Sequence, residues 1–299
     1  MKNFALIGAA GFIANRHFRA IKETGNRLIA ALDKHDNVGI LDSFFPEAHF
    51  FTEFERFDRH LDKLKRKGEK IDYVSICSPN YLHDSHIRFA LRSGANAICE
   101  KPLVLNPWNL DALEEIEKET RRSINTILQL RLHPTIIALK ERIQKAEKEI
   151  HDVDLRYITS RGNWYQTSWK GDIPKSGGIA TNIGIHFFDM LIWVFGKVKD
   201  VRVAEVSPYH AKGHLVVENA NVNWFLSINY DDIPDEVKKQ GKRTFRTLKI
   251  KGEELEFSEG FTDLHTASYA KILKGEGFGI EDARASIEVT HRIREMGRG

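Results

Sequence analysis

Cysteine is scarce: the 299 residues hold two, Cys77 and Cys99. Both lie in β-like runs, and two are too few for the disulfide framework of a secreted fold, so buried thiols in a reducing compartment are expected. Long apolar runs are missing as well. None reaches the roughly 18 uninterrupted residues that span a bilayer, and Met1 and Lys2 lead directly into a strand-like segment with no signal-peptide pattern. No membrane association and a cytoplasmic location are therefore expected. Charge of one sign is not in excess. The formal net charge is +3, and acids alternate with bases along the chain, so the continuous basic stripe of a nucleic-acid binder is absent and an anionic small molecule is the expected partner. Internal repeats, low-complexity tracts and a long linker are absent too.

What is present is rhythm. "NFALIGAA" reads as a buried strand, "FIANRHFRAIKETG" as an amphipathic helix and "RLIAALD" as a second strand. The alternation continues through "IDYVSICSPN", "YLHDSHIRFALRSG", "NAICE", "PWNLDALEEIEKETRR" and "INTILQLR". Such a pattern implies a parallel, doubly wound Rossmann sheet with helices on both faces, assigned to residues 1–124. From about residue 150 the pattern becomes strand-like pieces separated by turns: "VDLRYITSRG", "DVRVAEVS", "HLVVENANVNWFLSIN" and "RTFRTLKIKGEELEFSEG", with one helix from Ile183 to Phe195. Residues 125–299 are expected to form an α+β domain with a large, mostly antiparallel sheet, fused closely to the first with a cleft between them. In the final helix Ala285, Val289, Ile293 and Met296 are expected to form the apolar stripe, with Ile287 outside it.

"GAAGFIA" sits at the first strand-to-helix turn and spaces Gly8, Gly11 and Ala14 three apart. A pyrophosphate needs a tight turn, close backbone approach and a helix N-terminus, which small residues here supply, with Phe12 and Ile13 in the same turn. The next strand ends at Asp33, placed to accept hydrogen bonds from an adenosine ribose and to repel a 2′-phosphate, which favours NAD over NADP. Alone, the turn could be a plain glycine turn with an exposed aspartate. The same glycine spacing occurs in short-chain dehydrogenases and nucleotide-sugar epimerases, which need a tyrosine four residues before a lysine; none of the seven tyrosines has that lysine.

Three further stretches, "SICSPNYLHDSHIRFALRSGANAICEKPL", "LQLRLHP" and "SGGIATNIGIHFFDMLIWVFG", resemble the glucose-fructose oxidoreductase / inositol 2-dehydrogenase (Gfo/Idh/MocA) family over nearly the whole chain. The E-K-P motif and the G-G-x(7)-H-x-x-D element are together far more specific than the glycine turn. Within that family, "RGNWYQTSWKGD" and "GFTDLHTASY" resemble the members that oxidise C3 of UDP-N-acetyl-glucosaminuronic acid on the way to a diacetamido uronic acid of bacterial O-antigen lipopolysaccharide.

The resemblance implies that Lys101, between Glu100 and Pro102 at the carboxyl end of a parallel strand, points at the nicotinamide and the hydroxyl to be oxidised. Removing hydride builds positive character at the carbinol carbon, so the hydroxyl proton must be leaving to a base or held by a strong donor, and lysine can do either. His186 is implied to lie near the same carbon as general base. Asn182, where many members carry an acid, leaves open which of the two is the base. Asn182, His186 and Asp189 are spaced four and three apart, on one helical face. By the same resemblance Ser78, Pro79, Asn80, His83 and Gln129 face the cofactor together with Gly8, Gly11, Phe12, Ile13, Asp33, Glu100 and Lys101. Arg131, Tyr165, Ser168, Trp169, Lys175, Asn182, His186 and Lys101 face the substrate. The loop holding Trp164 and Lys170 mixes rings and cations suited to a sugar nucleotide bearing phosphates and a carboxylate. His83 and His86 form an H-x-x-H pair without a completing ligand group, so no metal is expected. A homodimer or homotetramer through the C-terminal sheet, and reoxidation of bound NADH by 2-oxoglutarate, are also implied, and relatives are expected to continue beyond "REMGRG". Other readings are a family member acting on a free inositol or hexose, and a non-catalytic NAD-binding sensor.

Overall fold

Phe4, Ala5, Leu6 and Ile7 are all buried, as in a strand covered on both faces. They lie in β1 (Asn3–Ile7) of the computed structural model, which describes residues 1–145, 149–255 and 263–297. There follow α1 (Ala14–Glu23), β2 (Arg27–Leu32), α2 (Leu41–Phe44), β3 (His49–Phe51), α3 (Phe54–Arg66), β4 (Tyr73–Ile76), α4 (His83–Ser93), β5 (Asn96–Cys99), α5 (Pro107–Thr120) and β6 (Ile124–Thr126). These six strands pair in parallel in the order β3-β2-β1-β4-β5-β6, the doubly wound sheet that the alternation implies. The strand order reverses between β1 and β4, and the crevice beyond their carboxyl ends is where such sheets bind ligands. β6 is shorter than the sequence suggests. Past Thr126 the chain bends, and Gln129–Leu132 form a 3-10 turn that leads into Pro134.

The second set of elements comprises α6 (Pro134–Lys145), β7 (His151–Thr159), α7 (Trp164–Thr167), α8 (Ile173–Ser176), α9 (Ile185–Phe195), β8 (Val198–Val206), β9 (His210–Val217), β10 (Ala220–Ser227), α10 (Asp235–Lys239), β11 (Thr244–Ile250) and β12 (Glu253–Leu255). α11 (Leu264–Leu273) and α12 (Ile280–Met296) complete the chain. The sheet order is β12-β11-β7-β10-β9-β8, antiparallel except between β7 and β10. One predicted run resolves into the hairpin β9–β10, and another into β11–β12, where Lys251 (φ 53°) and Gly252 (φ 84°) supply the two left-handed residues of a tight hairpin turn. The remainder of that run, and Gly260, Phe261 and Thr262 of the "GFTDLHTASY" motif, lie outside the described residues.

Along β7, Val153 and Leu155 are buried while Asp152, Asp154 and Arg156 are exposed, the period of two of a sheet covered on one side. α9 packs into the core with Leu155, Leu215, Val222, Trp224 and Leu248. Ile173–Phe195 is long and apolar enough, by length and composition, to cross a membrane, but most of it is buried inside the protein, which accounts for its apolarity. A search for uninterrupted apolar runs passes over this stretch because polar residues break it.

The chain divides into two compact units, one of residues 1–104, 108–128 and 262–283, the other of 105–107, 129–261 and 284–299. In the first, Tyr269 and Ile272 join Phe4, Phe18 and Ile21 in one core, and the Thr126 N–H donates to the Phe278 carbonyl at 2.8 Å. The stripe of α12 differs from expectation. Ile287 is buried along with Ala283, Ser286, Val289, Thr290 and Ile293, whereas Met296 is 47% exposed. Small polar residues fill part of the buried face because Thr290 satisfies its hydroxyl on the helix carbonyls of Ser286 and Ile287.

Candidate active site

The turn after β1 admits glycine alone at its first position. Gly8 has φ +95°, and a Cβ there would lie 2.6 to 2.7 Å from the Cys77 carbonyl group and the Ser78 nitrogen. Gly11 N–H closes the turn on the Gly8 carbonyl at 3.1 Å. Asp33 is drawn against it: one carboxylate oxygen accepts from Ala10 N–H and the other from His35 N–H, each at 3.0 Å. Phe12 holds its ring almost wholly in solvent at 92% exposure. A Gly8→Ala variant is expected to lose about 1–3 kcal/mol of stability, seen as a lower Tm, and to bind dinucleotide more weakly. Unchanged nucleotide titration would show that the turn tolerates a side chain.

Ser78, Pro79 and Asn80 follow β4, with Ser78 and Asn80 buried. His83 Nε2 lies 2.8 Å from the Ser78 carbonyl oxygen and Nδ1 2.6 Å from that of Pro102, so the ring sits between this turn and the one after β5, its single N–H donating to one of the two carbonyls. The Lys101–Pro102 peptide in that second turn is cis. His86 Nδ1 lies 2.8 Å from Ser78 Oγ, and its ring stacks on Phe54. Burial, with His83 nearby, pushes the His86 pKa down to about 4, below the ordinary 6.5. The unfolded chain therefore takes up this proton first as pH falls. The contribution of neutral His86 is complete above pH 6.5 and is lost between there and about pH 4, by up to about 3 kcal/mol. Melting temperatures measured across that window are expected to fall, and to fall less in His86→Gln.

Glu100 follows β5, where its N–H donates to the Ile76 carbonyl at 3.0 Å. Its carboxylate is buried. Oε1 lies 3.0 Å from His17 Nε2 and 2.8 Å from His265 Nε2, and Oε2 accepts from the Lys101 N–H at 3.2 Å. Burial alone would raise this carboxyl group, but the hydrogen bonds from His17 and His265 hold it well below the usual carboxylate range. His17 Nδ1 in turn lies 2.7 Å from the Tyr269 hydroxyl, which is 2.6 Å from Ser75 Oγ. Sequence reasoning quotes the stretches that hold His265, Tyr269 and Ser75 but misses their meeting with His17 and Glu100, because these contacts span 83 to 252 residues of chain.

In the second unit, Arg131 donates to Asp189 through Nε (3.0 Å) and a terminal nitrogen (2.8 Å), a two-pronged pair that is almost fully buried. Asp189 thus spends its charge on Arg131. Gln129 Oε1 is buried and has no hydrogen-bond partner among the described residues. Asn182 lies in a π turn (Ala180–Gly184) ahead of α9 and donates its amide to the Tyr165 hydroxyl at 2.6 Å. The turn packs closely: a Cβ on Gly184 would meet Leu226 and Phe188. His186 is the one partly exposed residue from Thr181 to Met190. In the loop before it, Ser168 Oγ donates to the Tyr165 carbonyl at 2.9 Å and Lys175 pairs with Asp172 at 2.8 Å. Trp169 is partly buried, and Lys170 Nζ lies 5.3 Å and 5.6 Å from the centres of the Trp164 and Trp169 rings. Burial, with Arg161 adding its charge, lowers the Lys170 pKa, a penalty that a bound anion would relieve. The first unit thus brings together the residues expected to face a dinucleotide, apart from Gln129, and the second those expected to face the substrate, apart from Lys101. The glycine cradle and the pinned Asp33 fit a dinucleotide.

A family model described as an oxidoreductase family with an NAD-binding Rossmann fold, Gfo/Idh/MocA, matches residues 2–126, and its companion, a C-terminal alpha/beta domain, matches residues 140–223. Among solved structures, the WlbA (WbpB) dehydrogenase from Thermus thermophilus in complex with NAD and alpha-ketoglutarate is 55% identical with a TM-score of 0.95, over 98% of this chain and 95% of that one. The same dehydrogenase in complex with NAD and UDP-GlcNAcA is 54% identical, with the same TM-score and coverage. The Escherichia coli oxidoreductase YgjR is 25% identical over 248 residues, 79% of this chain and 72% of its own.

Proposed function

The chain belongs to the Gfo/Idh/MocA oxidoreductase family, and from that premise we propose that it oxidises the C3 hydroxyl of UDP-N-acetyl-glucosaminuronic acid (UDP-GlcNAcA) to the 3-keto sugar with NAD. The observation that carries this reading is 54% identity, over 98% of the chain, to a dehydrogenase crystallised with NAD and UDP-GlcNAcA. NAD supplies the hydride acceptor. The glycine turn after β1 and Asp33 would hold its pyrophosphate and ribose, and the Gln129 oxygen offers an acceptor to an N–H group.

As hydride leaves, the hydroxyl proton has to move, and two nitrogen groups are assigned to it in this reading. His186, a partly exposed residue, takes the proton as general base, while Lys101 orients the hydroxyl. Asn182, engaged with Tyr165, is a neutral amide where many family members carry an acid, so the lysine is the other candidate base. Arg131, Tyr165, Ser168, Trp169 and Lys175 are assigned to the sugar nucleotide, and Lys170 between two indoles suits a phosphate or carboxylate. We further infer reoxidation of the reduced cofactor by 2-oxoglutarate, a cytoplasmic role in O-antigen sugar synthesis, and a homodimer or homotetramer formed through the outer sheet face that carries Asp154, Arg156, Lys212 and Asn223.

The test is absorbance of NADH as it forms when purified protein meets NAD and a panel of UDP-sugars and free sugars, with and without 2-oxoglutarate. Turnover of UDP-GlcNAcA is expected. Turnover of neutral free sugars alone would overturn the uronate assignment, and saturable NAD binding with no turnover under any condition would favour a sensor.

A further inference from the structure

Lys101 is attached to a buried clamp. His17 comes from α1, Glu100 from the end of β5, His265 and Tyr269 from α11 and Ser75 from β4, all within the first unit. The hydrogen bonds can be assigned with no charge other than that of Glu100. Glu100 Oε1 accepts from His17 Nε2–H and His265 Nε2–H, the Tyr269 hydroxyl donates to His17 Nδ1, and the Ser75 hydroxyl donates to Tyr269. Burial lowers the His17 pKa, which agrees with a neutral ring.

The geometry points to a positioning role: His17 and His265 lock the Glu100 carboxylate in one orientation, and Glu100, through the Lys101 N–H, sets where the Lys101 side chain starts. The assignment rests on the reading of Lys101 as a group that acts on the substrate. His265 carries the argument for a role beyond packing. Among the described residues its buried Nδ1 has no hydrogen-bond partner, a cost that a leucine filling the same space would avoid, so what the imidazole adds is its other nitrogen, aimed at Glu100. His17, Glu100 and His265 also form a His/Cys/Asp/Glu cluster tight enough to ligate a cation. Their contacts of 2.8 and 3.0 Å are those of hydrogen bonds, shorter than the roughly 3.3 Å that separates two ligands of one tetrahedral zinc with bonds near 2.0–2.1 Å.

The clamp is tested with His265→Leu and His265→Gln, the second of which keeps a donor for Glu100. His265→Leu is expected to lower kcat about 10- to 100-fold while KM for sugar and NAD, and the Kd for NAD, stay within about threefold, and His265→Gln is expected to recover most of the loss. Wild-type kcat in the leucine variant, or an equal loss in both variants, would overturn the clamp, as would stoichiometric metal in the purified protein. Should His265→Leu fail to fold, Glu100→Gln, which leaves the Lys101 N–H without a carboxylate, is expected to give the same kcat-specific loss. Should the wild type turn over no UDP-sugar, the proposed function fails, and the clamp is read without substrate by competitive acetylation of Lys101 across pH with mass spectrometry. The labelling profile is expected to shift in His265→Leu and not in His265→Gln; an unshifted profile in His265→Leu would overturn it.

Discussion

Replacing Lys101 by methionine is expected to lower turnover of UDP-GlcNAcA about 1000-fold and leave NAD binding nearly intact. Methionine keeps the apolar stem but removes the one group that follows Glu100 at the carboxyl end of β5 and can donate to, or take a proton from, a substrate hydroxyl. Arginine should rescue little, because a guanidinium stays protonated and its planar fork presents donors in a different place. Steady-state kinetics with a fluorescence titration of NAD checks this. A variant that keeps its kcat would remove Lys101 from the chemistry. The companion variant His186→Asn separates the two candidate bases: loss of the acidic limb of the pH–rate profile only in that variant assigns the base to His186, whereas persistence of that limb assigns it to Lys101.

Asp189→Ala is expected to destabilise the protein by about 3–5 kcal/mol, because it leaves the Arg131 guanidinium in an almost dry site without its two-pronged partner. For a unit of this size the midpoint of thermal unfolding should fall by about 10 °C or more. Replacing both partners, Arg131→Met with Asp189→Leu, should cost much less, since no buried charge is then left alone. Scanning calorimetry of the single and double variants decides it. If the single variant loses less than about 1 kcal/mol, the pair does not anchor α9 to the turn that carries Gln129.

The parallel sheet was legible because its strands are short apolar runs punctuated by helices with a 3.6-residue stripe, a pattern that each segment carries by itself. The glycine turn and Asp33 were legible for a similar reason: Gly8 must be glycine to pass the Cys77 backbone, and that requirement is visible as a letter. The stripe of α12 was misread because counting apolar letters overlooks the buried Ser286 and Thr290, the second of which satisfies its hydroxyl on helix carbonyls. Asp189 shares the spacing of Asn182 and His186, yet its charge goes to Arg131, 58 residues earlier, a pairing that no periodicity encodes. The cluster around Glu100 was invisible for the same reason: "GFTDLHTASY" holds His265 and Tyr269, but nothing in it points to His17 or Glu100 until α11 is seen to pack on α1.

That packing has a consequence for synthesis. The Tyr269 partner of His17 is encoded 252 residues later, so the nucleotide-binding half cannot mature while it leaves the ribosome, and its sheet must wait for almost the entire polypeptide before its last helix arrives. Expressed as a contiguous amino-terminal fragment, that half would emerge with the imidazole of His17 and the Tyr269 side of the Phe4 ring uncovered, a form prone to self-association.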